Sequence, residues 1–227
     1  NWRRDSDHGR ALGDDGTMPG GARPDTRRGS CNMKVTIFDY GAGNLHSLAK
    51  ALEEPGVAVT CETDVQRAID TDVLVLPGVG AFGLAAQRLA DGRSAMRSAL
   101  EQGLPCLGIC LGMQLLFDES EEGAGAGLGL ISGRVERIRA RRIPHIGWNV
   151  VEGAADPLFR QSPLEIAYYA NSFVCRPDDD DSVIAWSRHE DDRFAAAVRS
   201  GRTVGVQFHP EKSGPAGSQI LQNFLAL

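Results

Sequence analysis

Short apolar runs, each stopped by glycine, proline or an acidic residue, alternate along most of the chain with stretches of helical period. KVTIFDY, Lys34–Tyr40, is a β-branched run that ends on an acidic residue and the turn GAGN. A helical pattern follows from Leu45 to Glu54 and stops at Pro55-Gly56. VAVTC predicts a strand, VQRAI a short helix, and DVLVLPGVG a buried strand that breaks into a glycine loop. A helix pair is expected from Phe82 to Gln102, then a strand over LPCLGIC and a helix over LGMQLLFDES. Strands alternating with helices of this length specify an α/β fold, a mostly parallel sheet covered on both faces.

The second half has a different texture. Gly123–Gly133 is a glycine-rich loop, and RVERIRA, IPHIGWNVV, LEIAYYANSF, SVIAWSR, FAAAVRS and TVGVQFHP are short strand candidates. These are expected to extend the same sheet in partly antiparallel fashion, and Ala216–Leu225 to close the chain as a helix. No repeat and no low-complexity linker interrupts residues 33–227, which read as one domain. Residues 1–32 differ: Arg, Asp, Gly and Pro mix without apolar period, so the segment cannot bury enough surface to order itself. It is expected to be a disordered extension or an artefact ahead of Met33. It lacks the apolar core of a secretory signal, and its aspartates argue against a transit peptide.

Composition narrows the function. The 227 residues, 42% hydrophobic and 24% charged, suit an enzyme with a full core. A net charge of −6 leaves no basic stripe for nucleic acid. No apolar stretch approaches a membrane span. Five cysteines, odd in number and irregularly spaced, suggest neither a disulfide framework nor a zinc site, and point to the reducing cytoplasm.

One of those cysteines is placed for chemistry. In LGICLGMQLL, Cys110 lies between Gly108 and Gly112, the G-x-nucleophile-x-G form of a sharp strand-to-helix elbow. A lone cysteine is more often a small buried hydrophobe. The rest of the chain changes that balance. In GVQFHPEKSG, His209 and Glu211 follow an apolar strand, and on an extended chain residues two apart project to one side. Pro210 between them blocks helix formation. Nucleophile, base and orienter are then complete. LPGVGAF, Leu76–Phe82, is a plain β-to-α turn or a loop aiming a backbone amide at an oxyanion, with the Leu111 amide as the second donor. A helix start at Leu111 would also favour the thiolate through its dipole.

GxCxG, HPE and the PG-loop together resemble the class I, triad-type glutamine amidotransferases, whose fold is a flavodoxin-like three-layer sandwich with a mostly parallel central sheet and an antiparallel extension. DYGAGN, PGVGAF, CLGMQLLFDESEEG, GLGLISGRV, IPHIGWN and GVQFHPEKSG resemble, within that group, the glutaminase subunits of imidazole glycerol phosphate synthase. The likeness covers the chain from Met33 onward. It implies hydrolysis of glutamine to glutamate and ammonia, with no cofactor and no metal. A TIM-barrel cyclase partner would receive the ammonia and make imidazole glycerol phosphate and an aminoimidazole-carboxamide nucleotide in histidine biosynthesis.

By the same likeness Cys110 is the nucleophile, His209 the base and then acid, and Glu211 the orienter. Gly80, Gln114, Glu122, Ser172 and Phe173 match positions that hold glutamine, and Val79 and Leu111 match the oxyanion amides. Glu121 beside Glu122 leaves one register alternative. Asn171 and Phe173 depart from the His-Ser-Tyr or His-Thr-Tyr of many relatives. Asn44, Trp148 and Lys212 are the partner-interface candidates. For Val79 to donate, its peptide must turn, with Gly78 or Gly80 taking positive φ, so the free subunit is expected to rest with that peptide turned away. Rival readings are a glutaminase serving pyridoxal phosphate, anthranilate or guanylate synthesis, an inactive relative that only binds a partner, and a solitary γ-glutamyl hydrolase.

Overall fold

The structure is a computed structural model, and it describes residues 32–41, 45–78, 80–161 and 164–227. The expected segment 1–32, apart from Asn32, and the candidates Asn44 and Val79 lie outside the described residues.

Five parallel strands run from one edge of a seven-stranded sheet: β1 (Met33–Phe38), β2 (Val57–Glu62), β3 (Val73–Leu76), β4 (Cys106–Ile109) and β12 (Thr203–Val206). In space their order is β2-β1-β3-β4-β12, the order of flavodoxin-like sheets. β11 (Asp192–Ser200) and β10 (Val183–His189) continue it antiparallel beyond β12. β3, β4 and β12 are short and buried throughout because both faces are covered, whereas the edge strand β2 has no buried residue. Val73 and Val75 of β3 enter one core with α1 (Leu45–Leu52) and α6 (Gly214–Leu225), while Leu74 and Leu76 enter the opposite core with α2 (Val65–Ile69), α3 (Phe82–Leu89) and α4 (Arg93–Glu101). The alternation of strand side chains thus makes a three-layer sandwich. The expected helix pair over 82–102 is present, joined by a 3-10 turn at Ala90–Gly92.

Three expectations are corrected. The helix over LGMQLLFDES is one turn, α5 (Leu111–Gln114), and Glu119–Ser120 is instead strand β5. Leu115, Leu116 and Phe117 are fully buried, and their carbonyls accept from the amides of Leu128, Leu130 and Gly129 at 2.7, 2.8 and 3.1 Å. Those tertiary bonds outcompete helix propensity, and a one-turn helix sums little dipole behind Cys110. Second, not all the later strands extend the main sheet. β5, β6 (Gly133–Arg137) and β9 (Phe173–Pro177) form a small sheet, and β7 (His145–Val150) pairs with β8 (Ile166–Asn171) in another. Third, LEIAYYANSF is not one strand: it breaks at Ser172, where the chain passes from β8 to β9.

Candidate active site

Cys110 stands between β4 and α5 with φ 49° and ψ −103°, a conformation that costs a non-glycine residue roughly 1–3 kcal/mol. Two hydrogen bonds hold it there: its N–H donates to the Val206 carbonyl at 2.7 Å, and its own carbonyl accepts from the Gln114 N–H at 3.1 Å. The flanking glycines answer to space. A Cβ on Gly108 would lie 2.6 Å from the Gly112 oxygen, and one on Gly112 would lie 2.0 Å from the Leu76 oxygen. Glycine lets β3 and α5 touch backbone to backbone, and the strained φ falls on the cysteine itself.

His209 sits just past β12, adjacent to β4 in the sheet, so the two loops meet. Its imidazole is almost wholly buried and its Nδ1 lies 2.9 Å from Glu211 Oε1. The extended chain expected for His209–Glu211 is corrected here: Pro210–Lys212 is a 3-10 turn with proline at its start, and the turn swings Glu211 back under the ring. With Nδ1 taken by the carboxylate, Nε2 is the nitrogen left to serve Cys110. Burial pulls the imidazole pKa down, but the hydrogen bonds and charges of Cys110 and Glu211 outweigh it and raise it from 6.5 to about 9. The backbone around the base is fixed as firmly. The His209 N–H donates to the Tyr168 carbonyl at 2.8 Å, the Ser213 hydroxyl donates to the His209 carbonyl at 2.7 Å, and the Tyr168 N–H donates to that hydroxyl at 2.9 Å.

A cleft of about 290 Å³ opens over these side chains, the space of roughly ten waters. Gly80, Cys110, Leu111, Gln114, Glu122, Ser172, Phe173, His209 and Lys212 all line it. Gly78 closes its floor: a Cβ there would stand 3.1 Å from both Cys110 Cβ and His209 Cε1. Gly80 takes the positive φ of the loop, 127°. The Leu111 amide, first in α5, has no intrahelical acceptor and lies next to the sulfur-bearing residue. Glu122, not Glu121, reaches the cleft. Its Oε2 accepts from the Phe82 N–H at 2.8 Å, whereas Glu121 accepts from Arg134 Nη2 and the Arg137 N–H at 3.2 and 2.9 Å. Asn171 also lines the cleft, and its Nδ2 donates to the Phe173 carbonyl at 3.0 Å, bracing the break between β8 and β9.

One residue here was missed in the sequence. Gln207 is fully buried, with Nε2 3.4 Å from Cys110 Sγ. The signal was present: a carboxamide between Val206 and Phe208 is out of place in an apolar run unless something polar awaits it. Of the interface candidates, Trp148 is 55% exposed and Lys212 lies on the cleft's rim, its Nζ 6.0 Å from the Tyr168 ring centre.

The glutamine amidotransferase class-I family profile matches residues 36–227. Imidazole glycerol phosphate synthase subunit HisH of Synechococcus sp. (strain JA-3-3Ab) is 44% identical over 201 residues, 85% of this chain and 93% of that protein. The HisH subunit of Corynebacterium glutamicum is 42% identical over 204 residues, 84% of this chain and 97% of that one. The chain belongs to the class-I glutamine amidotransferases, among the HisH subunits. At the level of fold it is similar to a crystal structure of a glutamine amidotransferase, with TM-score 0.67 and 20% identity over 85% of this chain and 97% of that one. The structure of PurLQS from Thermotoga maritima gives 0.64 and 22% over 86% and 98%. The cleft lies at the carboxyl ends of the adjacent strands β3, β4 and β12, where open α/β sheets bind their ligands.

Proposed function

We propose that the chain is the glutaminase subunit of an imidazole glycerol phosphate synthase, with Cys110, His209 and Glu211 as its triad. The observation that carries this is a cysteine on a strained elbow in the same cleft as the buried His209, which is paired with Glu211 at 2.9 Å. Cys110 Sγ, its proton held on His209 Nε2, attacks the side-chain carbonyl carbon of glutamine. The oxyanion of the tetrahedral intermediate takes hydrogen bonds from the backbone amides of Leu111 and Val79. As the intermediate collapses, the carbon–nitrogen bond breaks, His209 gives its proton to the departing nitrogen, and ammonia leaves a γ-glutamyl thioester. His209, now neutral, takes a proton from water, which attacks the thioester; glutamate and the thiolate are released. Glu211 keeps the Nδ1 proton in place throughout. Gly80, Gln114, Glu122, Ser172 and Phe173 are proposed to hold the substrate.

The cyclase partner, in this reading a TIM barrel, covers the cleft and takes the ammonia. What supports a docking face is the outer side of the β7–β8 sheet. Ile146, Trp148, Val150 and Ile166 are each at least 51% exposed, and in register Trp148 faces Tyr168 and Val150 faces Ile166. So much adjoining apolar surface beside a catalytic cleft suits a partner of similar character. Tyr168 belongs to this face by its ring and to the base by its backbone, so a partner pressing on β8 bears directly on His209. No helix among the described residues is long and apolar enough to cross a membrane, and the enzyme is proposed to work in the cytoplasm. The test is Cys110→Ala in the reconstituted complex. Glutamine-dependent synthesis should vanish while ammonia-dependent synthesis persists, and equal loss of both would show that Cys110 is structural.

A further inference from the structure

We propose that Gln207 is a catalytic residue of this site: a fixed hydrogen-bond donor that holds the Cys110 sulfur and stabilises its thiolate. The geometry leaves its amide no choice of orientation. Gln114 Nε2 donates to the Phe173 carbonyl at 3.2 Å, and a carbonyl can only accept. Gln114 therefore presents NH₂ on that side, and the same group donates to Gln207 Oε1 at 3.3 Å. Gln207 must face Gln114 with its oxygen, so its own NH₂ turns to Cys110 Sγ at 3.4 Å. Turned over, it would set two NH₂ groups together and put a carbonyl oxygen against the sulfur. Its backbone is pinned as well, the N–H donating to the Ala196 carbonyl at 2.8 Å.

A thiolate in a buried cleft needs donors, because burial without them is costly. His209 cannot be the constant one, since it must carry its proton to the departing nitrogen. Gln207 gives up no proton and its Oε1 is already engaged. It serves the attacking thiolate, and serves again when water's tetrahedral intermediate expels the sulfur. The proposal rests on Cys110 being the nucleophile.

Iodoacetamide tests it, since this neutral reagent needs the thiolate but neither glutamine nor the oxyanion amides. Gln207→Met keeps the chain length and removes the donor. Alkylation of Cys110 at neutral pH should slow about 10- to 100-fold, the worth of one hydrogen bond to a charged group. In the complex, kcat for glutamine should fall in parallel with little change in KM. Gln207→Glu keeps the acceptor toward Gln114 but faces the sulfur with an oxygen, and should be slower still. Wild-type alkylation rates in the folded variants would overturn the proposal, as would a raised KM alone, which would make Gln207 a prop for Gln114. If neither variant folds, the side-chain NH₂ resonances of Gln207 in the wild-type chain decide. They must move when Cys110 is alkylated, and unmoved resonances would overturn the proposal. Cys110→Ala separates the two readings: if it retains glutamine-dependent synthesis, the nucleophile assignment fails, whatever the Gln207 variants do.

Discussion

Glu211→Gln keeps the shape of the orienting side chain and deletes the charge that faces the His209 ring at 2.9 Å. Burial pulls the imidazole pKa down, and Cys110 and Glu211 together reverse that, lifting it from 6.5 to about 9. At 1.36 kcal/mol per pKa unit, the gap favours the imidazolium by ~3 kcal/mol. An opposite charge at contact range supplies roughly 1–3 pKa units, so His209 in the variant should titrate between about 6 and about 8. The folded value lies above that of an unfolded histidine. The associated stabilisation is therefore complete below about pH 6.5 and is lost as pH rises through about 9. The stability gap between wild type and variant should be widest near pH 6 and should close by about pH 10. Titration of the histidine Cε1–H signals reads the pKa directly, with His209 identified among the five histidines by its loss in His209→Ala. Denaturant melts across the same pH range read the stability. A wild-type His209 titrating near 6.5, or a variant with the wild-type midpoint, would refute the reasoning.

Gly112→Ala drives a Cβ to 2.0 Å from the Leu76 carbonyl oxygen, and should cost roughly 1–3 kcal/mol in thermal melts and displace Cys110 enough to abolish glutaminase activity. An active, equally stable variant would show that the elbow yields at no cost. Trp148→Ala should weaken cyclase binding by at least ~1 kcal/mol in calorimetry, and an unaltered affinity would remove it from the docking face. If docking turns the Val79 amide into place, the isolated subunit should hydrolyse glutamine roughly a hundred- to a thousand-fold more slowly than the ligand-loaded complex. Full activity of the isolated subunit would end that idea. Removing residues 1–32 should leave stability and activity nearly unchanged, because their composition offers no apolar face to dock; a clear drop in melting temperature or partner affinity would contradict this.

The sequence was legible where one face of an element had one job. Apolar runs stopped by glycine, proline or an acidic residue mark β1, β3, β4 and β12, because strands buried on both faces carry little else. Chemistry followed the strand ends, so GxCxG, PGVG and HPE could be taken as neighbours before any fold was drawn. What stayed hidden depended on contacts distant in sequence. Leu115–Phe117 read as helix, but their carbonyls are claimed by the 128–130 segment. The step from β8 to β9 is set by pairing between Arg137 and Phe173, which no local pattern records. Likewise Glu211 reaches His209 through a turn that residue spacing alone did not distinguish from a strand. Gln207 was overlooked because its partner sulfur is 97 residues away.

If Cys110 is the nucleophile toward the glutamine side chain, a diazoketone analogue of glutamine should label it. The complex is incubated with the analogue, digested, and mapped by mass spectrometry, with free glutamine as competitor. One adduct is expected, on Cys110, suppressed by glutamine and absent when His209 is replaced by alanine. An adduct on Cys31, Cys61, Cys106 or Cys175 instead, or none on Cys110 in a complex that still consumes glutamine, would contradict it.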